Sequence, residues 1–189
     1  MSIIKAVNEN KKIHYDTEES VYRLISYIFE ISKTSCDEIR VGNVIGDFVG
    51  CSHFMGSYEQ SIDPELVALQ MIINNNVYGK NKGNLLKHRI ISFDNIDCVL
   101  PEEALQLARY ISEAYGEKYI TAYGVHLDSK NIHIHLAIDT ISWQDGLRFS
   151  ISYEFKWLSA MVSAWTARRF AEQMRNPQWK SRCEQYYGL

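Results

Sequence analysis

The sequence predicts an α+β domain: a central antiparallel sheet with helices packed mainly on one face. Three observations carry this. The apolar periodicity changes along the chain in the order β-α-(loop)-α-β-α-β-β-(β)-α, which places strands and helices in one mixed layer arrangement. Three helix starts are marked, by Asp16 with Glu19 three residues later, by Pro64 after Asp63, and by Pro101 before Glu102 and Glu103. Two apolar segments, Tyr119 to Val125 and Ile132 to Thr140, flank the short polar turn from Leu127 to Asn131, which reads as a hairpin.

Taken in order, Ile3 to Val7 is a short apolar run closed by a polar loop and fits a first strand. The following helix carries Val21, Leu24, Ile25 and Ile28 at helical spacing. At 100° per residue, Tyr27 falls roughly 120° from the centre of that stripe, so its hydroxyl points to a cleft or solvent. Residues 36 to 60 read as a loop with one short strand, because Gly42, Gly46, Gly50 and Gly56 interrupt every apolar run. The Pro64 helix carries Leu66, Val67, Leu69 and Ile73. It fades into a basic, glycine-rich linker, Tyr78 to Asn84, that is expected to be mobile. Leu85 to Phe93 is a strand by its β-branched and aromatic content, and the Pro101 helix ends at Gly116. Arg148 to Ile151 reads as a further strand. Glu154 to about Met174 reads as a long terminal helix, with Arg168 and Arg169 on a solvated face, followed by a polar, aromatic tail.

With 189 residues and 46% hydrophobic content, the chain is long enough to bury one sizeable core. A net charge of −3 means that any attraction to a polyanion must come from a local basic patch or a metal. Cys36, Cys51, Cys98 and Cys183 form no C-x-x-C pair, which fits reduced thiols better than a disulfide framework or zinc ribbon. The first residues lack the apolar core of a signal peptide, and no run approaches the ~20 apolar residues of a membrane span. The expected location is the cytoplasm.

The densest chemistry lies at the hairpin, where three of the six histidines fall within ten residues: His126, His133 and His135. His133 and His135 flank one apolar residue in a strand, so their imidazoles share a face roughly 6–7 Å apart along it. A hairpin brings His126 alongside. Such histidines can also be strand residues satisfied by hydrogen bonds, but three on convergent positions point to a metal ion with coordination sites left open, as in catalytic centres. Asp128 can accept a ring N–H and fix a ligand tautomer, or simply be a turn aspartate. The histidine cluster holds no glutamate of the kind a metalloprotease or deaminase sets beside its ligands.

The residues also carry a family resemblance. His133-Ile134-His135, within the pattern H-x-D-x(4)-H-x-H after an apolar strand, resembles the metal site of HUH endonucleases, specifically the relaxases that mobilise plasmids and integrative conjugative elements. Tyr27, followed by Lys33-Thr34, resembles the Y-x(5)-K-T helix that many relaxases carry near the N-terminus. The strand with His88 and Phe93 and the stretch Asp145 to Phe149 are looser matches. Together these span about residue 20 to 165.

The resemblance implies an HUH relaxase-like two-layer sandwich, with residues 1–189 forming a single nicking domain without helicase or primase extension. It implies that Tyr27 is the nucleophile and that His126, His133 and His135 hold a divalent ion, Mg2+ or Mn2+. The activity implied is site- and strand-specific nicking and rejoining through a 5′-phosphotyrosine, initiating plasmid or conjugative-element transfer. A tyrosine of ordinary pKa about 10 is a weak nucleophile, and a metal on the non-bridging oxygens offsets the phosphate's charge. Tyr22 is the rival nucleophile, although its place near Phe29 on the helical wheel suggests packing. The implied partners are single-stranded origin-of-transfer DNA and accessory DNA-binding and coupling proteins. Lys80, Lys82, Lys87 and Arg89 read first as a solvated basic loop, with contact to phosphates of single-stranded DNA as the alternative. A rolling-circle initiator or transposase of the same chemistry, and a non-catalytic DNA-binding module retaining the fold, are the alternatives. The chain departs from its relatives at Asp139, where many have asparagine, and at Ile31-Ser32, where Asn-Pro is usual before Lys-Thr.

Overall fold

The fold is taken from a computed structural model, which describes residues 3–6, 14–30, 33, 49–52, 62–94, 97–127, 131–173 and 175–187. Among these, the strands are β1 (Ile3–Ala6), β2 (Val49–Cys51), β3 (Leu86–Ser92), β4 (Tyr119–His126) and β5 (His133–Ser142). The helices are α1 (Glu18–Ile28), α2 (Pro64–Val77), α3 (Pro101–Gly116), α4 (Glu154–Gln173) and α5 (Pro177–Tyr187). The strands form one sheet in the order β1-β3-β5-β4-β2, with every neighbouring pair antiparallel. The expected α+β class and antiparallel sheet are therefore present.

The helices divide between the two faces rather than gathering mainly on one. On one face, α1 and α2 pack Val21, Ile25, Ile28, Val67 and Met71 against Leu86, Ile120, Ala122 and Ala137. On the other, α3 and α4 pack Leu107, Ile111, Tyr115, Leu158 and Val162 against Ile91, Tyr123, Val125, Ile134, Leu136 and Ile138. β4 and β5 are covered on both sides: all eight residues of β4 and nine of ten in β5 are buried. β4 is mostly apolar, as strands covered on both faces tend to be, whereas β5 carries His133, His135, Asp139, Thr140 and Ser142.

Local chemistry sets the starts of α1 and α2. α1 starts one residue later than the Asp16–Glu19 pair suggests. Thr17 is the cap: its hydroxyl accepts from the Ser20 N–H at 3.1 Å while the Ser20 hydroxyl accepts from the Thr17 N–H at 3.2 Å. Glu19 is occupied instead by Arg23, at 2.6 Å. α2 starts at Pro64 with the Asp63 carboxylate accepting from the Glu65 N–H at 2.8 Å.

Several expectations change. Arg148 to Ile151 forms no strand beyond a single bridge between Arg148 and Ile141. The polar tail is helix α5, docked by Tyr187 on the Val99 carbonyl and by Cys183 on the Cys98 carbonyl at 3.0 Å. Arg169 is buried, not solvated, and meets Glu103 at 3.0 Å and the Asp97 carbonyl at 3.0 Å. The 78–84 linker is pinned: Arg148 donates to the Lys82 carbonyl at 2.9 Å and the Asn84 carbonyl at 3.2 Å, and Lys80 donates to the Gly146 carbonyl at 2.5 Å. The short strand expected within 36–60 is β2, and residues 36–48 and 53–60 lie outside the described residues. Cys51, Cys98 and Cys183 are free thiols, as expected, and Cys36 lies outside the described residues. Among the described residues no helix is long and apolar enough to cross a membrane.

Candidate metal centre

The centre lies where β4 ends and β5 begins, on the α1 face of the sheet. His126 pairs directly with His133, and Gly124 with His135, so two β5 histidines and one β4 histidine point to the same side. One ligand atom from each lies within 4.8 Å of the others. Ring centroids are 4.2 Å apart for His126–His135, 4.9 Å for His133–His135 and 5.5 Å for His126–His133.

Each ring has its second nitrogen engaged elsewhere. Nε2 of His126 donates to the Ile28 carbonyl at 3.1 Å, and Nδ1 of His133 donates to the Asn131 carbonyl at 2.9 Å. Nδ1 of His135 lies 2.9 Å from Nε2 of His88. With an ion bound, Nδ1 of His126 and Nε2 of His133 and His135 would be the ligand atoms. Nε2 of His135 is buried with no hydrogen-bond partner, which a bound cation would satisfy. Three imidazoles oriented by outer hydrogen bonds fit a divalent ion. Burial, reinforced by the neighbouring His126, His88 and His133 rings and by Lys33, holds the His135 imidazole down at about 2, so it is neutral and ready to ligate. His88, lowered to about 4 by burial and by Arg89 and His126, is neutral as well.

α1 delivers Tyr27 to this cluster. Its last turn lies against β4 at Gly124, where a Cβ would stand 2.2 Å from the Ile28 carbonyl oxygen, so only glycine admits so close an approach. The same carbonyl takes the His126 bond, which fixes the helix end to the histidines. The Tyr27 ring then sits edge-on, 5.1 Å from His126 and 5.3 Å from His135 by centroids, and 39% exposed. Lys33 Nζ lies 4.1 Å from the Tyr27 ring centroid and 2.5 Å from Glu30 Oε2, and its backbone carbonyl accepts from the Leu127 N–H at 2.7 Å. Tyr22 is half-buried against the core formed by α1 and α2.

The remaining expected residues do not join the cluster. Asp128 lies outside the described residues. Arg89 is the clearest correction: it is fully buried, with Nε and Nη2 donating to Glu154 at 2.9 and 2.8 Å, and it cannot reach a phosphate. The ladder explains why. Position 88 faces the histidines, so strand alternation sends Lys87 and Arg89 to the opposite face, against α3 and α4. Lys87 packs over Phe149, at 5.7 Å, opposite Ile138 and three residues along β5 from His135. Lys80 is spent on Gly146, and Lys82 is exposed. Asp139 is structural: buried, it accepts from Asn74 at 2.8 Å, Asn75 at 2.9 Å and the Ile141 N–H at 3.0 Å, which ties α2 to β5. Sequence reasoning left out His88 as a site residue. The signal was present in the even spacing of Leu86, His88 and Ile90, but the register that sets His88 beside His135 is tertiary.

No curated protein matches the chain. The family described as "Relaxase: MobA/VirD2-like, nuclease domain" matches residues 51–170, which include all three histidines and His88, while Tyr27 and Lys33 lie upstream of the matched span. That span covers well over half of the chain and contains the whole histidine hairpin, and the chain therefore belongs to the MobA/VirD2-like relaxases, HUH-type DNA endonucleases.

Proposed function

We propose that this domain nicks and rejoins one strand of DNA at an origin of transfer, using Tyr27 as nucleophile, and so initiates mobilisation of a plasmid or conjugative element. The observation that carries this reading is the seat of Tyr27: among the described residues it is the tyrosine whose ring borders both His126 and His135. In the proposed step the Tyr27 oxygen forms a bond to the scissile phosphorus and the phosphorus–O3′ bond breaks. The tyrosine proton leaves to solvent and the 3′ oxygen takes one up, giving a 5′-phosphotyrosine and a free 3′-hydroxyl. The reverse attack rejoins the strand. Lys33, at the same ring, presents a cation to the phosphate being attacked. His126, His133 and His135 would hold a divalent ion that withdraws charge from the non-bridging oxygens.

Imidazole nitrogens favour Mn2+ over Mg2+, which prefers oxygen ligands. Lys82, exposed at the distal end of the sheet with Lys80 and Lys87 near it, is the best placed of the four expected cations to meet a phosphate far from the nick. The substrate is single-stranded DNA, and with a net charge of −3 the accessory DNA-binding and coupling partners supply positive charge that this chain lacks.

The test is incubation of hairpin-bearing origin oligonucleotides with the protein, read by intact mass. A covalent adduct should form with Mn2+, form less with Mg2+, and vanish in Tyr27→Phe but not in Tyr22→Phe. An adduct persisting in Tyr27→Phe would remove Tyr27 from the reaction.

A further inference from the structure

The three candidate ligands are oriented in two different ways. His126 and His133 each face a backbone carbonyl, which only accepts, so the outer nitrogen of each must carry the proton and the tautomer is fixed. His135 faces another imidazole. Its Nδ1 lies 2.9 Å from Nε2 of His88, and Nδ1 of His88 lies 2.9 Å from the Tyr15 hydroxyl. All three side chains are buried, at 3%, 4% and 7% exposure for His135, His88 and Tyr15. A neutral imidazole donates from one nitrogen and accepts at the other, and a hydroxyl does both, so this chain can run in either direction.

Only one direction leaves a lone pair on Nε2 of His135. The proton must then sit on Nδ1 of His135 and be donated to Nε2 of His88, whose Nδ1–H is donated in turn to the Tyr15 oxygen. In the reverse direction Nε2 of His135 carries a proton and cannot ligate.

We propose that His88 and Tyr15 are positioning residues of the metal centre, forming a Tyr15–His88–His135 chain that holds His135 in its ligating tautomer. The proposal rests on the three-histidine metal reading. Tyr15 is placed for this by the main chain: its carbonyl accepts from the Leu85 N–H at 2.6 Å, fixing the segment before α1 to the start of β3. His88 reaches the centre because it shares the sheet face with Ala137 opposite and His135 beyond. The outer partner of His135 is therefore neutral, where a carboxylate is the commoner choice, and its effect lies in orientation rather than added charge.

The test uses the full chain and does not depend on DNA cleavage. Mn2+ affinity is measured by calorimetry and Co2+ binding by visible absorption, with melting of the metal-free protein as a check on folding. His88→Leu removes the acceptor and should weaken Mn2+ binding about 10–100-fold. His88→Gln, which keeps an acceptor where Nε2 stood, should restore most of that loss, and Tyr15→Phe should show a smaller loss of the same sign. In 15N spectra of the Zn2+-loaded protein, His88 should be protonated at Nδ1. Wild-type Mn2+ affinity in folded His88→Leu, or protonation of His88 at Nε2 in the loaded protein, overturns the proposal. If the wild-type chain binds none of these ions, the metal centre itself is refuted and the chain's role falls with it.

Discussion

Replacing Arg89, half of a buried ion pair with Glu154, distinguishes support of the fold from contact with DNA. Its guanidinium has no exposed surface, donates twice to Glu154, and donates to the His88 carbonyl at 3.2 Å; the Tyr115 hydroxyl adds a bond to Glu154 at 2.9 Å. Arg89→Met leaves the Glu154 carboxylate buried without its cation, and removing one partner of such a pair costs about 3–5 kcal/mol. For a chain of this size, each kcal/mol lowers the melting temperature by about 2–4 °C, so a fall of about 6–20 °C is expected. Arg89→Met/Glu154→Leu, which removes both charges, should recover most of it. The assay is thermal melting by circular dichroism, paired with the salt dependence of single-stranded DNA binding. The paired measurement matters because a lost phosphate contact reduces the slope of log affinity against log salt by about 0.7 for a single strand, with no change in melting. Lys82→Ala should show that pattern. Unchanged melting with a reduced slope in Arg89→Met would refute the buried-pair reasoning.

Two further outcomes follow from the same geometry. Gly124→Ala drives a Cβ into the Ile28 carbonyl, so the end of α1 must shift. Destabilisation of about 1–3 kcal/mol is expected, with a larger loss of tyrosine adduct than of folded protein; full adduct formation would show that the close approach does not position Tyr27. In chelator, acid should unfold the protein early. Unfolded imidazoles take up protons near 6.5, whereas burial holds His88 at about 4 and His135 at about 2. Their stabilising effect is complete above 6.5 and is lost as the pH falls through that window, His88 alone accounting for about 3 kcal/mol at 1.36 kcal/mol per unit. Asp139, pushed up to about 7 by burial, acts in the opposite direction between 3.8 and 7, so Asp139→Asn should steepen the loss. Urea midpoints between pH 7.5 and 4.5 check this, and a flat profile would contradict it.

What the sequence determined by itself was whatever depends on neighbours along the chain. Strand alternation put His133 and His135 on one face, the short connection of residues 127–132 brought His126 beside them, and the prolines at 64 and 101 marked helix starts, because each rests on local dihedral or spacing rules. The relaxase pattern was legible for the same reason, being written in one hairpin. Burial on both faces was less legible, because β5 sets His133, His135 and Asp139 among Ile134, Leu136 and Ile138, the alternation of a strand with one covered face.

Only the tertiary structure decided how distant segments meet. Tyr27 reaches the histidines because Gly124 admits the end of α1, a contact between positions far apart in the chain. His88 touches His135 through the β3–β5 register, where a slip of one residue would have exchanged it for Arg89. Arg89 and Arg169 look like surface cations in sequence. Their partners, Glu154 and Glu103, come from other elements, and no local rule announces them. Burial of a charge is decided by where the opposite charge lands, and that is a property of the folded chain.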